Sequence, residues 1–189
     1  DCSYAVNYSK NGSDGDAIIK ELIPYVEDHY RIIQQPYARV LNGGSTGGWE
    51  SMALQIHHPD FFGGTWSLYP DPLDFRHFQL MDLTKDTNAF YASKFTMPFD
   101  ANSDWQQSPR YMMRDNESQP IRTTMDASWL EEVLGTHGRS GEQMDIFDAV
   151  FGPVGNDGYP SPLWNNLTGK IDSNAVNYAR EHGYNLRYY

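Results

Sequence analysis

The chain has 189 residues, 39% of them hydrophobic, a mean hydropathy of −0.65 and a formal net charge of −11. That is enough apolar material for a folded core and excludes a wholly disordered chain, while the acidic balance argues against a nucleic acid or an anionic membrane surface as partner. No apolar run approaches the ~18 residues a membrane span needs, and the single cysteine, Cys2, excludes an intrachain disulfide and any multi-cysteine zinc site.

Residues 1–13 are polar and turn-rich. A helix is predicted over about residues 16–30, with Asp14 or Asp16 as its cap. Ile18, Ile19, Leu22, Ile23 and Val26 recur at spacings of three and four and make one apolar stripe, which Pro24 bends. After a break at Gln35-Pro36, residues 37–42 are a strand candidate, 43–48 a sharp glycine-rich turn, and 49–58 a second helix stopped by Pro59. Residues 65–69 form a second strand candidate, ended by Pro70 and Pro72. This order predicts an α/β unit with parallel strands. Residues 71–189 are polar, aromatic and proline-dotted, with helices predicted over 128–135, 141–151 and 173–182. Residues 1–70 therefore read as a core segment, and residues 71–189 as an irregular, partly helical insertion or cap region of the same domain, packed by aromatic side chains.

Gly43-x-Ser45-x-Gly47 is a G-x-S-x-G pentapeptide between a predicted strand and a predicted helix, the context that a nucleophile elbow requires. A serine on so tight a turn takes a strained backbone conformation, and glycines on either side clear the space for it. Its hydroxyl then stands exposed, with the positive end of the helix and its free N–H groups beside the developing oxyanion. The Thr46 N–H is the first candidate oxyanion donor. The competing reading is a glycine-rich turn with an incidental serine.

Two further segments join the motif: His57-His58-Pro59-Asp60-Phe61-Phe62-Gly63-Gly64, and Glu21-Leu22-Ile23-Pro24-Tyr25-Val26-Glu27 with Tyr30-Arg31. Together they resemble the putative-esterase family of α/β hydrolases, the esterase D type, with its G-H-S-M-G-G, H-P-D-x-F and E-L-I-P elements. The resemblance is dense over residues 16–70. It implies a partial α/β-hydrolase fold, a serine nucleophile and an ester substrate. Gly44 stands where that pattern carries His, and Thr46 where it carries Met. The family places several strands before the elbow helix, and an acid and a histidine after later strands. The expectation is therefore that this chain is an internal piece of a longer hydrolase, inactive alone.

A serine nucleophile needs a base, and the base an orienting group. His29 is expected on the surface of the first helix. His57 and His58 lie at the far end of the elbow helix, about 18 Å of helix away from the serine, and are read as terminal charges rather than as a metal pair with Asp60. His77 and His182 lie in polar segments. His137, in a glycine-rich loop, is the candidate base within the chain. Asp71 follows the second strand and is a candidate acid, with an ordinary turn aspartate the preferred reading. N-x-S/T triplets start at Asn7, Asn11, Asn116 and Asn166 and decide nothing without a secretion signal.

The function read from the sequence is a serine carboxylic ester hydrolase acting through an acyl-enzyme on Ser45. Its substrate would be a small or carbohydrate-linked ester, and no metal or organic cofactor is implied. The alternative is a non-catalytic binding module that keeps the elbow as scaffold. Compartment and oligomeric state stay open.

Overall fold

A computed structural model describes residues 4–8, 12–92 and 108–188 of the chain; Cys2 and Asn11 lie outside them. The chain divides into two compact units, Asp1–Leu73 with Leu186–Tyr189, and Asp74–Asn185.

The first unit opens with a short antiparallel ribbon, β1 (Asn7–Tyr8) and β2 (Gly12–Ser13). The first helix begins at once as α1 (Asp14–Ala17), widens into a π-helical turn over Ile18–Leu22, and continues as α2 (Ile23–His29). Pro24 explains the wide turn. It has no N–H to donate, and its ring collides with the carbonyl four residues back, so the preceding turn opens. The cap is not an aspartate: Asn7 Oδ1 accepts the Asp16 N–H at 2.9 Å, and the Asp16 carboxylate pairs instead with Lys20.

Pro36–Ala38 is a 3-10 turn, so the strand begins later than its sequence suggests, as β3 (Val40–Ser45). The helix α3 (Thr46–His57) follows without a connecting residue, and β4 (Gly64–Pro70) returns parallel to β3. This is the expected β-α-β unit of a mixed α/β fold, partial and hydrolase-like. Leu54 of α3 and Phe62 are buried, with Ile18, Ile19, Ile23 and Leu41 packed against them, so three residues of the predicted stripe face the core, while Leu22 is exposed. Arg39 fastens α2 to the strand by gripping Glu27 with two bonds of 2.7 and 3.0 Å while its guanidinium lies 4.2 Å over the Phe61 ring. That hydrogen-bonded pairing holds the Glu27 carboxyl below its usual value.

The second unit has two short antiparallel ribbons, β5 (Tyr91–Ala92) with β6 (Ser108–Pro109) and β7 (Tyr111–Arg114) with β8 (Pro120–Thr123). Three helices follow: α4 (Thr124–Leu134), α5 (Gln143–Phe151) and α6 (Ser173–His182). The helix α4 starts ahead of its predicted onset because Thr123 and Asp126 form a reciprocal capping box. Phe75, Phe78, Phe147, Phe151 and Trp164 meet edge-on or tilted, with centroids 5.2–6.2 Å apart, and make an aromatic cluster in a unit that also buries Leu83, Val150, Leu163 and Val176.

Glu131, 3% exposed, reaches from α4 to accept the backbone N–H groups of Met144 and Asp145 at the start of α5. Burial raises its carboxyl above the usual value. Glu131→Ala leaves two buried donors unsatisfied and should cost about 1–3 kcal/mol in urea unfolding. A raised carboxyl stabilises most below its unfolded-state value of 4.5 and loses that contribution as pH rises through the folded value. The gap between wild type and Glu131→Ala should therefore widen as pH falls towards 4.5.

Candidate active site

The predicted glycine-rich turn is smaller than its composition suggests. Gly43 and Gly44 pair with Ser67 and Leu68 as strand residues, and the reversal from strand to helix falls on Ser45 alone. Ser45 has φ 55° and ψ −124°, a region L-residues rarely adopt, and its side chain is exposed.

The glycines divide the work unequally. A Cβ on Gly43 would lie 2.1 Å from the Gly47 carbonyl oxygen, so Gly43 is what lets the helix start against the strand. A Cβ on Gly47 would meet nothing; its backbone, not its missing side chain, forms the contact. Gly48 is a second close approach, where a Cβ would lie 2.7 Å from the Leu68 carbonyl oxygen, and its own carbonyl accepts the Ser51 and Ser67 hydroxyls at 2.9 and 2.7 Å. At Gly44, where the esterase D pattern carries His, the Tyr69 ring fills the volume a side chain would take.

Asp71 lies just past β4 and is 6% exposed. Its carboxylate accepts the Thr46 hydroxyl at 2.8 Å and the Tyr4 hydroxyl at 2.6 Å on Oδ2, and the Ser45 hydroxyl at 3.4 Å on Oδ1. Its backbone N–H donates to the Ser45 carbonyl at 3.2 Å. These partners are distant in sequence, so Asp71 does not close a local turn; Asp74 does, by accepting the Arg76 N–H at 3.0 Å. Tyr4 is fully buried and meets Trp49 of α3 edge-on at 5.2 Å, and the Trp49 indole N–H donates to the Pro72 carbonyl at 3.2 Å. Sequence reasoning missed Tyr4, for it lies in a segment with no periodicity.

His57 sits at the opposite end of α3 from Ser45 and is half-buried; burial, then the neighbouring His58, lowers its pKa. His58 ends α3, its N–H donating to Leu54. His29 is exposed and bonds the Tyr25 carbonyl one turn back at 2.8 Å. His137 belongs to the second unit, in an exposed turn at φ 61°, with Nδ1 3.6 Å from the Asp157 carboxylate. No group of three His, Cys, Asp or Glu side chains among the described residues is arranged to hold a metal ion. No helix among them is long and apolar enough to cross a membrane.

A model of the family described as "Putative esterase" matches residues 3–141, most of the chain, and the chain belongs to that family. The match extends the likeness read at residues 16–70 well into the second unit. No curated protein matches the chain.

The unequal glycines give a direct test of the elbow. Gly43→Ala should destabilise the protein by more than about 3 kcal/mol, since backbone must move to admit the methyl group. Gly47→Ala should stay within about 1 kcal/mol of wild type in the same denaturant titration.

Proposed function

We propose, from the chain's place among these esterases, that it is a serine carboxylic ester hydrolase working through an acyl-enzyme on Ser45. The observation that carries this reading is the strand-to-helix reversal confined to one strained, exposed serine at the head of a 12-residue helix.

The Ser45 Oγ attacks the ester carbonyl carbon while a base removes its proton, and the carbonyl oxygen becomes an oxyanion. The Thr46 N–H, unpaired within α3 because it lies in the first turn, donates to that oxygen. The helix adds its positive end, and its first turn holds no acidic residue. The tetrahedral intermediate then breaks its bond to the alcohol oxygen, which leaves with the base's proton. Water, activated by the same base, attacks the acyl-serine and frees the acid.

His137 is the candidate base within the chain. Its Nδ1 lies 3.6 Å from the Asp157 carboxylate, beyond hydrogen-bond length. Asp71 fits the relay acid poorly: such an acid touches the imidazole, whereas Asp71 touches the serine hydroxyl itself. The family supports an ester substrate, taken here as a small or carbohydrate-linked ester, with no cofactor called for.

Hydrolysis of p-nitrophenyl acetate and labelling by a fluorophosphonate probe test the nucleophile. Assayed in the full-length protein, wild type should do both, and Ser45→Ala should lose both by at least about 10³-fold in rate. Equal turnover by the two proteins would remove Ser45 from the mechanism. His137→Ala in the same assay should match Ser45→Ala if His137 is the base, and should leave turnover untouched if it is not.

A further inference from the structure

We infer that Asp71 is a positioning residue that aims the Thr46 N–H at the oxyanion, and that it acts by hydrogen bonding rather than by proton transfer. The inference rests on the reading of Ser45 as nucleophile and Thr46 as oxyanion donor.

The geometry is that of a two-point grip on one peptide plane. The Ser45 carbonyl and the Thr46 N–H belong to the same peptide group, and in a trans peptide they point in opposite directions. The Asp71 backbone N–H holds the Ser45 carbonyl at 3.2 Å. That bond fixes the plane's rotation and so turns the Thr46 N–H the other way, out of the sheet edge. The Asp71 carboxylate holds the Thr46 side chain at 2.8 Å, anchoring the far end of the same plane. A donor that must meet an oxygen existing only in the transition state is worth most when its direction is set beforehand.

The grip is itself held in place. The buried Tyr4 hydroxyl donates to the same Oδ2 that accepts Thr46, and Tyr4 is braced edge-on by Trp49 of the elbow helix. Asp71, 6% exposed, therefore has two strong donors on one oxygen. Its other oxygen faces the Ser45 hydroxyl at 3.4 Å, the long end of hydrogen-bonding range. Such a weak contact lets the serine hydroxyl swing to a base without breaking the grip.

Two pairs of variants separate this role from others. Thr46→Val keeps the N–H and the side-chain shape but removes the hydroxyl, while Thr46→Ser keeps the hydroxyl. Asp71→Ala removes the grip's side-chain half, while Asp71→Asn keeps an acceptor for Thr46 and Tyr4 but has no charge and no basicity. With p-nitrophenyl acetate, Thr46→Val and Asp71→Ala should lose about 10–100-fold in kcat, part of the full loss of an oxyanion donor. KM should stay within about threefold, and Thr46→Ser and Asp71→Asn should recover to within about fivefold of wild type. Asp71→Ala removes the acceptor of a buried Tyr4 hydrogen bond, so if it fails to fold the Thr46 pair decides alone. An Asp71→Asn enzyme no better than Ser45→Ala would show that charge or basicity matters, and would overturn the grip. So would a Thr46→Val enzyme with wild-type kcat. If wild type and Ser45→Ala hydrolyse ester equally, the nucleophile reading falls first and the grip with it. If only Ser45→Ala is dead while both Thr46 variants match wild type, the nucleophile stands and the grip alone falls.

Discussion

The first unit depends on one close approach: β3 meets the first turn of α3 at Gly43 with no room for a Cβ. Because the helix starts there, the chain must reverse within a single residue. Because it reverses within a single residue, that residue takes the left-handed region of backbone space, and its side chain cannot fold back into the sheet. The exposure of Ser45 and the orphan N–H groups beside it follow from the same contact. A longer connection would relieve Ser45's strain, and it would also carry the helix terminus away from the hydroxyl. Strain and reactivity are here one geometric fact.

The elbow is held by polar bonds more than by apolar burial. Gly48 offers one carbonyl to two serine hydroxyls, from the helix and from the neighbouring strand. Asp71 gathers hydroxyls from Tyr4 and Thr46 at full hydrogen-bond strength. Buried polar groups cost least when every donor and acceptor is matched, and matched polar networks fix angles that apolar contacts leave loose. An apolar cluster of Leu54 and Phe62 with the first helix supplies cohesion towards the far end of α3. The two halves are complementary: the later turns are packed for stability, the start is bonded for direction.

What is legible in the sequence is what is local. Gly43-x-Ser45-x-Gly47 lies within five residues, and its strand and helix flanks carry their own signals. The stripe from Ile18 to Ile23 and the stop at Pro59 are equally local. The start of α4 is set by Thr123 and Asp126, a capping pattern contained within four consecutive residues. The Asp71 site is not legible, because it joins residues 67 and 25 positions apart. Between two prolines an aspartate reads as a turn, and nothing in Tyr69-Pro70-Asp71-Pro72 reveals that its side chain looks back across the sheet. Nor does a run of glycines say which one lacks room: composition treats Gly43 and Gly47 alike, and only the packing separates them.

The register of the sheet explains why Asp71 arrives where it does. Gly44 pairs with Leu68, but Ser45 pairs with Pro70, so β4 carries one extra residue opposite the elbow. That residue is Tyr69, 78% exposed and at φ 35°, the second strained non-glycine residue at the same sheet edge. A bulge of this kind advances everything after it by one position. Without it, the pairing would continue in step and Asp71 would not reach the Ser45 carbonyl with its N–H. The bulge also turns the Tyr69 ring onto Gly44, which is open to it because that position has no side chain. Two strained residues thus stand side by side, and each serves the other: Tyr69 shifts the register that brings Asp71 to the elbow, and Asp71 holds the peptide that follows Ser45. Strain of this order, about 1–3 kcal/mol per residue, persists only where the surroundings over-determine it. Here the surroundings are a missing Cβ at Gly43, a bulge, and one buried carboxylate.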